Sequence, residues 1–172
     1  MSTMRKHNVT TFPRQPIVER IERRIQIKWH GQVVADCPPG EAYWVLEANH
    51  APTYYIPPSR VRFPLSTTPR TTYSEFHGAA TYYAIMSPIS AAEILSNRIW
   101  SYNEPPKEYE SIKGYLAFFV GPWECYVDNE RAQPPPGDYY GGWVTSDIDG
   151  LVKAPPHQPH QPQWGTGWDG VF

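Results

Sequence analysis

A mainly β domain is the fold class that the sequence predicts. Of the 172 residues, 20 are proline and 12 are glycine, and both residue types interrupt helices. Short runs of β-branched and aromatic residues recur between turn-forming residues, which is typical of strands. Because 40% of the residues are hydrophobic and 15% are aromatic, one core can form, and we expect a single domain over residues 17–150.

The first strands are predicted as a hairpin. Residues 25–29 alternate between apolar and polar side chains, His30-Gly31-Gln32 is suited to a tight turn, and residues 33–35 favour a second strand. Two further β-favouring runs follow at residues 43–46 and 53–56. Pro57 ends the second of these runs, because proline cannot donate a hydrogen bond to a neighbouring strand.

The second half of the domain contains the predicted helix. Residues 71–83 are expected to supply central strands, with a bend or bulge at Gly78. One short helix is predicted at about 105–113, because a proline pair opens the segment and Gly114 closes it. The apolar run at 115–120 is suited to a buried strand, and residues 125–127 are suited to one arm of a hairpin.

Both ends of the chain are predicted to lie outside the domain. Residues 1–16 are polar and suggest a flexible N-terminal arm, whereas the Pro/His/Gln-rich residues 151–172 suggest an extended tail. No apolar run approaches the roughly 20 residues that are needed to cross a bilayer. The N-terminus also lacks the apolar segment of a signal peptide. We therefore expect a cytoplasmic protein that has no membrane partner.

Charge and cysteine content limit the partners further. The net charge of -2 gives no support for nucleic-acid binding. Cys37 and Cys125 stand far apart and form no Cys-x-x-Cys motif, which excludes a four-thiolate zinc site. Two buried thiols are favoured over a disulfide between them. We predict a small-molecule ligand, no metal and no cofactor, and a possible homodimer through exposed strand edges.

The candidate site lies where a hydroxyl, a carboxylate and an imidazole occur within four residues, at Ser74, Glu75 and His77. If this segment is a strand, Tyr73, Glu75 and His77 point to one face of the sheet. Glu75 could then orient the imidazole and raise its basicity. The alternative is a histidine hydrogen-bonded at a sheet edge beside a solvated carboxylate.

Several separated motifs follow one another along the chain: Val33-Val34-Ala35-Asp36, Tyr54-Tyr55-Ile56-Pro57, Arg60-Val61, Thr72 with Gly78-Ala79 and Tyr82-Tyr83, Trp100-Ser101-Tyr102, the run from Ile112 to Phe118, and Pro135-Pro136-Gly137. In their order and spacing, over about Arg24 to Gly150, these motifs resemble those of the domain-of-unknown-function family 427. The resemblance implies a β-tent, in which two antiparallel sheets are pinned at one edge and accompanied by one short helix. It also implies a ligand site between the sheets. The two Cys-x-x-Cys pairs that hold zinc in many tent proteins are missing here.

Two departures from the family pattern bear on the chemistry. Ser74 stands where relatives commonly have cysteine, and His77 stands where they commonly have lysine. The first difference removes a thiol, and the second replaces a fixed cation with a group that titrates near neutral pH. If the family site is catalytic, this member is expected to carry out a different reaction. If it only binds, a different ligand is expected.

Other candidate residues fall at positions that resemble retained polar or aromatic residues of the family. Glu47 and Arg60 are predicted either to bind a carboxylate or carbonyl group or to form an ion pair that closes the tent. Six rings are predicted to divide between the cavity wall and the core, because side chains alternate along strands: Tyr54, Tyr55, Tyr82, Tyr83, Trp100 and Tyr102.

These observations predict a cofactor-independent enzyme that moves a proton on a carbonyl-bearing or aromatic substrate, in an isomerase, cyclase or lyase step. In this hypothesis His77 is the acid or base, Glu75 orients it, and Arg60 and Tyr55 hold the substrate, with Glu47, Ser74, Tyr83, Trp100 and Tyr102 also in the binding site. The alternative is a non-catalytic module that binds a small ligand in an aromatic cage.

Overall fold

A computed structural model describes residues 6–151 and confirms a mainly β fold. Most strands pair in antiparallel sheets. The strands are β1 (His7–Asn8), β2 (Ile17–Ile21), β3 (Ile25–Trp29), β4 (Gln32–Cys37), β5 (Ala42–Leu46), β6 (Thr53–Tyr55), β7 (Leu65–Ser74), β8 (Gly78–Met86), β9 (Ile94–Tyr102), β10 (Ala117–Phe118), β11 (Glu124–Val127), β12 (Glu130–Arg131) and β13 (Ile148–Asp149). Apart from residue 151, the predicted tail lies outside the described residues.

The described strands form three antiparallel sheets where the sequence predicted two. One sheet has the order β10-β9-β8-β7, a second has the order β12-β11-β3-β4, and a third, smaller sheet has the order β2-β5-β6. The third sheet joins the first through a backbone bridge between Ile56 and Leu116, with N···O distances of 2.9 and 2.8 Å in the two directions. The small sheet and the β7–β10 sheet are therefore fixed to each other along this edge.

The predicted hairpin and the two further predicted strands of the first half are present. β3 pairs with β4 across the turn at His30 and Gly31, which both have positive φ angles, of 51° and 77°. β5 pairs with β6 in the register that places Tyr43 opposite Tyr55. The alternating and turn-forming residues predicted these elements because the side chains of each strand alternate between a packed and a less buried face.

The predicted helix forms as a 3₁₀ helix over Lys107–Ile112. Pro106 precedes it with an extended backbone, and Tyr109 has φ of -113° and ψ of 18°, which interrupts the helical geometry. Tyr109 and Ile112 stand three residues apart in this segment and are both buried. Among the described residues, shorter or comparable 3₁₀ segments also occur at Val9–Thr11, Pro58–Arg60 and Pro136–Gly141.

The N-terminal segment differs from the predicted flexible arm over the part that the structure describes. β1 pairs in parallel with β13, and Val9 and Phe12 belong to the core, with exposed fractions of 1% and 9%. The composition suggested an arm because most neighbouring residues are polar. Two buried apolar side chains and the pairing with β13 are nevertheless enough to hold this segment against the domain.

The core is rich in aromatic residues. One cluster gathers side chains of β3, β4 and β11 around Trp29, Trp123 and Trp143, and the other surrounds Trp100, Tyr82 and Tyr55. Cys37 and Cys125 are both buried and unpaired, as favoured from the sequence. Burial raises the pKa of both thiols. Both therefore stay protonated and pack as small apolar side chains. Within residues 6–151, no helix has the length and hydropathy of a membrane span.

Candidate functional site

The strands predicted within residues 71–83 are present as the end of β7 and the start of β8, but the segment around Ser74 and His77 forms the turn between them, so no continuous strand runs through Glu75 and His77. β7 ends at Ser74 and β8 begins at Gly78, which has a φ of 88°. Ser74 Oγ accepts hydrogen bonds from the backbone N–H groups of Phe76 and His77, at 3.2 and 3.1 Å. These bonds favour a turn over a continuous strand. Glu75 and His77 consequently do not share a sheet face.

His77 is paired with Ser74. Its Nδ1 lies 3.2 Å from Ser74 Oγ. Because that oxygen already accepts two backbone hydrogen bonds, its hydroxyl proton is the one available for Nδ1, which leaves the imidazole proton on Nε2. Nε2 is buried and has no hydrogen-bond partner within the part of the chain that the structure describes. Within residues 6–151 no hydrogen bond or ion pair joins Glu75 to His77, and Glu75 is exposed, so Glu75 does not orient the ring.

Two aromatic rings enclose the imidazole of His77. The Tyr102 ring lies 4.9 Å from it between centroids, and the Tyr109 ring lies 4.6 Å from it in an edge-on arrangement. The side chain of His77 is 6% exposed. Burial lowers the pKa of His77 to about 4, because an imidazolium ion is poorly solvated among these rings. His77 is therefore neutral at pH 7.

A cavity of about 440 Å³, which we call the inter-sheet cavity, lies between the β2-β5-β6 sheet and the β7–β10 sheet. Its size falls within the range of small-molecule sites. Of the nine residues predicted for the site, seven lie on its lining: Glu47, Tyr55, Ser74, Glu75, His77, Trp100 and Tyr102. Residues far apart in the chain thus meet around one hollow.

Arg60 and Tyr83 do not line the inter-sheet cavity. The Arg60 guanidinium donates two hydrogen bonds to the carboxylate of Glu41, at 2.7 and 2.6 Å, which corresponds to the predicted ion-pair alternative with a different carboxylate. The Tyr83 hydroxyl lies 2.8 Å from Ser101 Oγ. Tyr82, which neighbours Tyr83, packs with Trp100 instead. Alternation along β8 places these two tyrosines on opposite faces.

Glu47 is a carboxyl group on the cavity wall with a strongly raised pKa. Its side chain is half-buried at the end of β5, and burial raises its pKa from the usual 4.5 to about 7, with a further increase from the neighbouring charge of Glu75. A carboxyl group that titrates near neutral pH can both accept and return a proton there. The sequence indicated Glu47 as a polar binding residue but not as the group with the neutral pKa.

The turn that carries Glu47 is supported by the N-terminal segment. His50 N–H donates to the carbonyl of Glu47 at 3.1 Å. The N–H groups of Ala48 and Asn49 donate to the carbonyls of Pro13 and Val9, both at 2.9 Å. The backbone of residues 47–50 is therefore fixed from two sides, and the segment predicted as a free arm helps to position Glu47.

His50 and Tyr140 are cavity residues that the sequence interpretation did not assign to the site. His50 Nδ1 donates to the carbonyl of Ala48 at 2.8 Å, and its ring contacts Tyr140 at 4.4 Å between centroids. Burial lowers the pKa of His50, and the hydrogen bond to Ala48 partly opposes this effect. The sequence feature that could have indicated His50 is its position three residues after Glu47, since a tight turn brings residues with this spacing close together.

A tight packing contact fixes the ring of Trp100. Gly141, with a φ of 71°, lies so close to the indole that an added Cβ would come within 2.5 Å of it. The rings of Tyr55 and Tyr102 lie 6.3 Å apart, and Tyr55 meets Trp100 edge-on at 6.2 Å. These contacts give the cavity one rigid aromatic wall. Among the residues that the structure describes, no group of three His, Cys, Asp or Glu side chains is arranged to hold a metal ion.

A family model described as domain of unknown function 427 matches residues 17–132. The chain therefore belongs to this family. The match includes β2 to β12 and with them most of the cavity wall, whereas Tyr140 lies beyond it. No curated protein matches the chain.

Proposed function

We propose that the protein is a cofactor-independent enzyme that moves a proton on a small molecule bound in the inter-sheet cavity. The observation that supports this proposal above all is the half-buried carboxyl of Glu47, which has a pKa of about 7 and faces a cavity with an aromatic wall. Proton transfer by such a positioned group typically contributes about 10²- to 10⁴-fold to a rate.

In this proposal Glu47 takes the acid–base role that the sequence suggested for His77. The carboxylate removes a proton from the substrate and returns it either to another position of the same molecule, as in an isomerase or cyclase step, or to the group that leaves, as in a lyase step, so that no oxidant, reductant or second substrate is consumed. This balance fits an isomerase, cyclase or lyase step. His77 is poorly suited to carry the proton at neutral pH, because its pKa is about 4 and its Nε2 is sealed among rings. It serves instead to position the Ser74 hydroxyl.

A non-catalytic module that binds a ligand in an aromatic cage is the second candidate. The observation that favours it is the number of rings on the cavity lining, which include Tyr55, Phe76, Trp100 and Tyr102. Such rings supply binding area at low entropic cost. The two candidates differ in whether the bound molecule is changed.

The test is an incubation of deproteinised extract from the source organism with the protein in D₂O, followed by untargeted mass spectrometry. We expect the wild-type protein to convert at least one metabolite, with uptake of deuterium. Glu47→Gln is expected to lower this conversion about 10²-fold or more. Glu110→Gln, which changes an exposed carboxylate outside the cavity lining, is the matched control and should act like the wild type. If Glu47→Gln converts the metabolite at the wild-type rate, or if the wild type leaves the extract unchanged, the enzymatic proposal fails and the binding module is favoured.

A further inference from the structure

The charged groups on the cavity lining are all acidic at neutral pH. Glu47 and Glu75 contribute carboxyl groups, and none of the described residues on the lining is lysine or arginine. Glu75 is close enough for its charge to raise the pKa of Glu47. Two carboxyl groups that face one hollow repel each other when both are ionised, and a bound positive charge relieves this repulsion.

The histidines of the cavity do not supply that positive charge. Burial lowers the pKa of both His50 and His77, so both rings are neutral at pH 7. Arg70, which belongs to β7, holds its guanidinium 5.2 Å from the ring centroid of Tyr82 and is not part of the lining. The positive charge therefore has to come from the ligand.

The walls of the cavity are suited to a cation with an apolar body. Trp100, Tyr102 and Tyr55 present aromatic surface next to Glu47, and Val45 and Ala51 add aliphatic surface. Aromatic rings attract a cation that sits over their faces, and they also pack against a flat or apolar group. The imidazole of His77 also lies on the lining, and its buried Nε2 has no hydrogen-bond partner among residues 6–151.

We infer that the inter-sheet cavity takes a protonated primary or secondary amine joined to an aromatic or apolar body. This inference rests on the proposed function in that it names the substrate class of the proposed enzyme. It can still be tested separately, because binding can be measured without turnover. The ammonium group lies between the carboxylates of Glu47 and Glu75, and the body of the ligand packs on the ring wall. A bound ammonium also holds Glu47 in its carboxylate form, which is the form that can accept a proton from the substrate.

Binding is expected to depend on pH. Besides Glu47, the titratable groups on the cavity lining are Glu75 and His77 of the β7–β8 turn, His50, and the phenols of Tyr55, Tyr73, Tyr102 and Tyr140, and Tyr109 packs behind His77. Glu47, whose pKa is about 7, changes its charge between pH 6 and pH 8. The ammonium is expected to bind up to about tenfold more tightly at pH 8 than at pH 6, because Glu47 must be ionised to pair with it.

The experiment is calorimetric titration of the full chain with three probes of similar shape: 2-phenylethylamine, which is a cation at pH 8, the neutral 2-phenylethanol, and the anion phenylacetate. We expect the amine to bind at least about tenfold more tightly than the alcohol, and the anion not to bind. Glu47→Gln is expected to remove both the preference for the amine and its pH dependence, whereas Glu110→Gln should retain them.

Three outcomes would each overturn the inference: the amine and the alcohol bind equally, the anion binds more tightly than the amine, or the amine does not bind even at roughly 10 mM, where a very weak interaction would be detected. So would a Glu47→Gln variant that retains the preference for the amine. Circular dichroism of each variant shows whether it is folded, and Glu75→Gln, which alters an exposed side chain, provides a second variant that should weaken the same preference. Failure of amine binding with conversion of the extract intact would contradict the substrate class alone. Amine binding without conversion would contradict the enzymatic step alone.

Discussion

Replacing Arg98 by methionine is expected to lower the free energy of unfolding by about 3–5 kcal/mol. The guanidinium of Arg98 is fully buried and donates to the carbonyls of Gly121 and Val120, at 3.0 and 2.9 Å, and to the carboxylate of Asp138, at 2.5 Å. Methionine fills much of the volume but leaves Asp138 as a nearly buried carboxylate that has lost this partner.

The interaction of Arg98 with Asp138 also supports the cavity wall. Asp138 belongs to the 3₁₀ helix Pro136–Gly141, which carries Tyr140 and the close contact between Gly141 and Trp100.

The loss of stability in Arg98→Met is measured by chemical denaturation monitored by tryptophan fluorescence. Arg60→Met is the matched control, because it breaks an exposed two-bond pair with Glu41, and a much smaller loss is expected there. Arg98→Met with Asp138→Asn should recover part of the loss. An Arg98→Met variant as stable as Arg60→Met would contradict this account.

Replacing Glu47 by glutamine is expected to stabilise the protein at pH 8 and to leave its stability nearly unchanged at pH 4. The pKa of Glu47 rises from about 4.5 in the unfolded chain to about 7 in the folded protein. The folded state therefore holds this proton more tightly, and the stability of the wild type falls as the pH rises from 4.5 to 7. Above pH 7 the buried carboxylate costs roughly 2–3 kcal/mol that glutamine does not.

His77 contributes a slope of the opposite sign. Its pKa falls from 6.5 to about 4 on folding, so the unfolded chain binds more protons between these values and stability rises with pH across this window. The two effects oppose each other in the wild type. In Glu47→Gln the opposing contribution of Glu47 is removed while that of His77 remains, and the melting temperature should rise more steeply between pH 4 and 6.5 than in the Glu110→Gln control. An equal gain in melting temperature at pH 4 and pH 8 would show that charge burial at Glu47 is not the cause.

The sequence was sufficient for elements whose signals are local. The turn at Gly31, the alternation over residues 25–29 and the proline pair before Lys107 each act within a few residues, and the corresponding hairpin and 3₁₀ helix formed. The sequence also predicted the aromatic wall of the cavity in part. Tyr55, Trp100 and Tyr102 line the cavity because they belong to strands whose register places their inner faces together. Alternation fixes such faces once the strands are known.

The predictions were wrong in two kinds of place. In one, a single side chain determined whether the backbone continued as a strand or turned. In the other, the interaction partner of a residue lay far away in the sequence. Residues 73–77 contain strand-favouring tyrosine and phenylalanine, yet the Ser74 hydroxyl binds two local N–H groups and ends the strand. Arg60 is bound by Glu41, 19 residues before it, and composition alone does not reveal that choice. The pKa of Glu47 near 7 results from burial by several elements and from the charge of Glu75. No single segment of the sequence contains all of these contributions.

The most direct test of the central claim is a carbon NMR titration of the Glu47 side-chain carboxyl in protein labelled with ¹³C-glutamate. The spectrum of Glu47→Gln assigns the resonance by its disappearance. We expect an apparent pKa near 7 for Glu47, which moves toward the usual value when Glu75 is replaced by glutamine. A midpoint near 4.5, unchanged by Glu75→Gln, would contradict the claim that this carboxyl is set by the cavity for proton transfer at neutral pH.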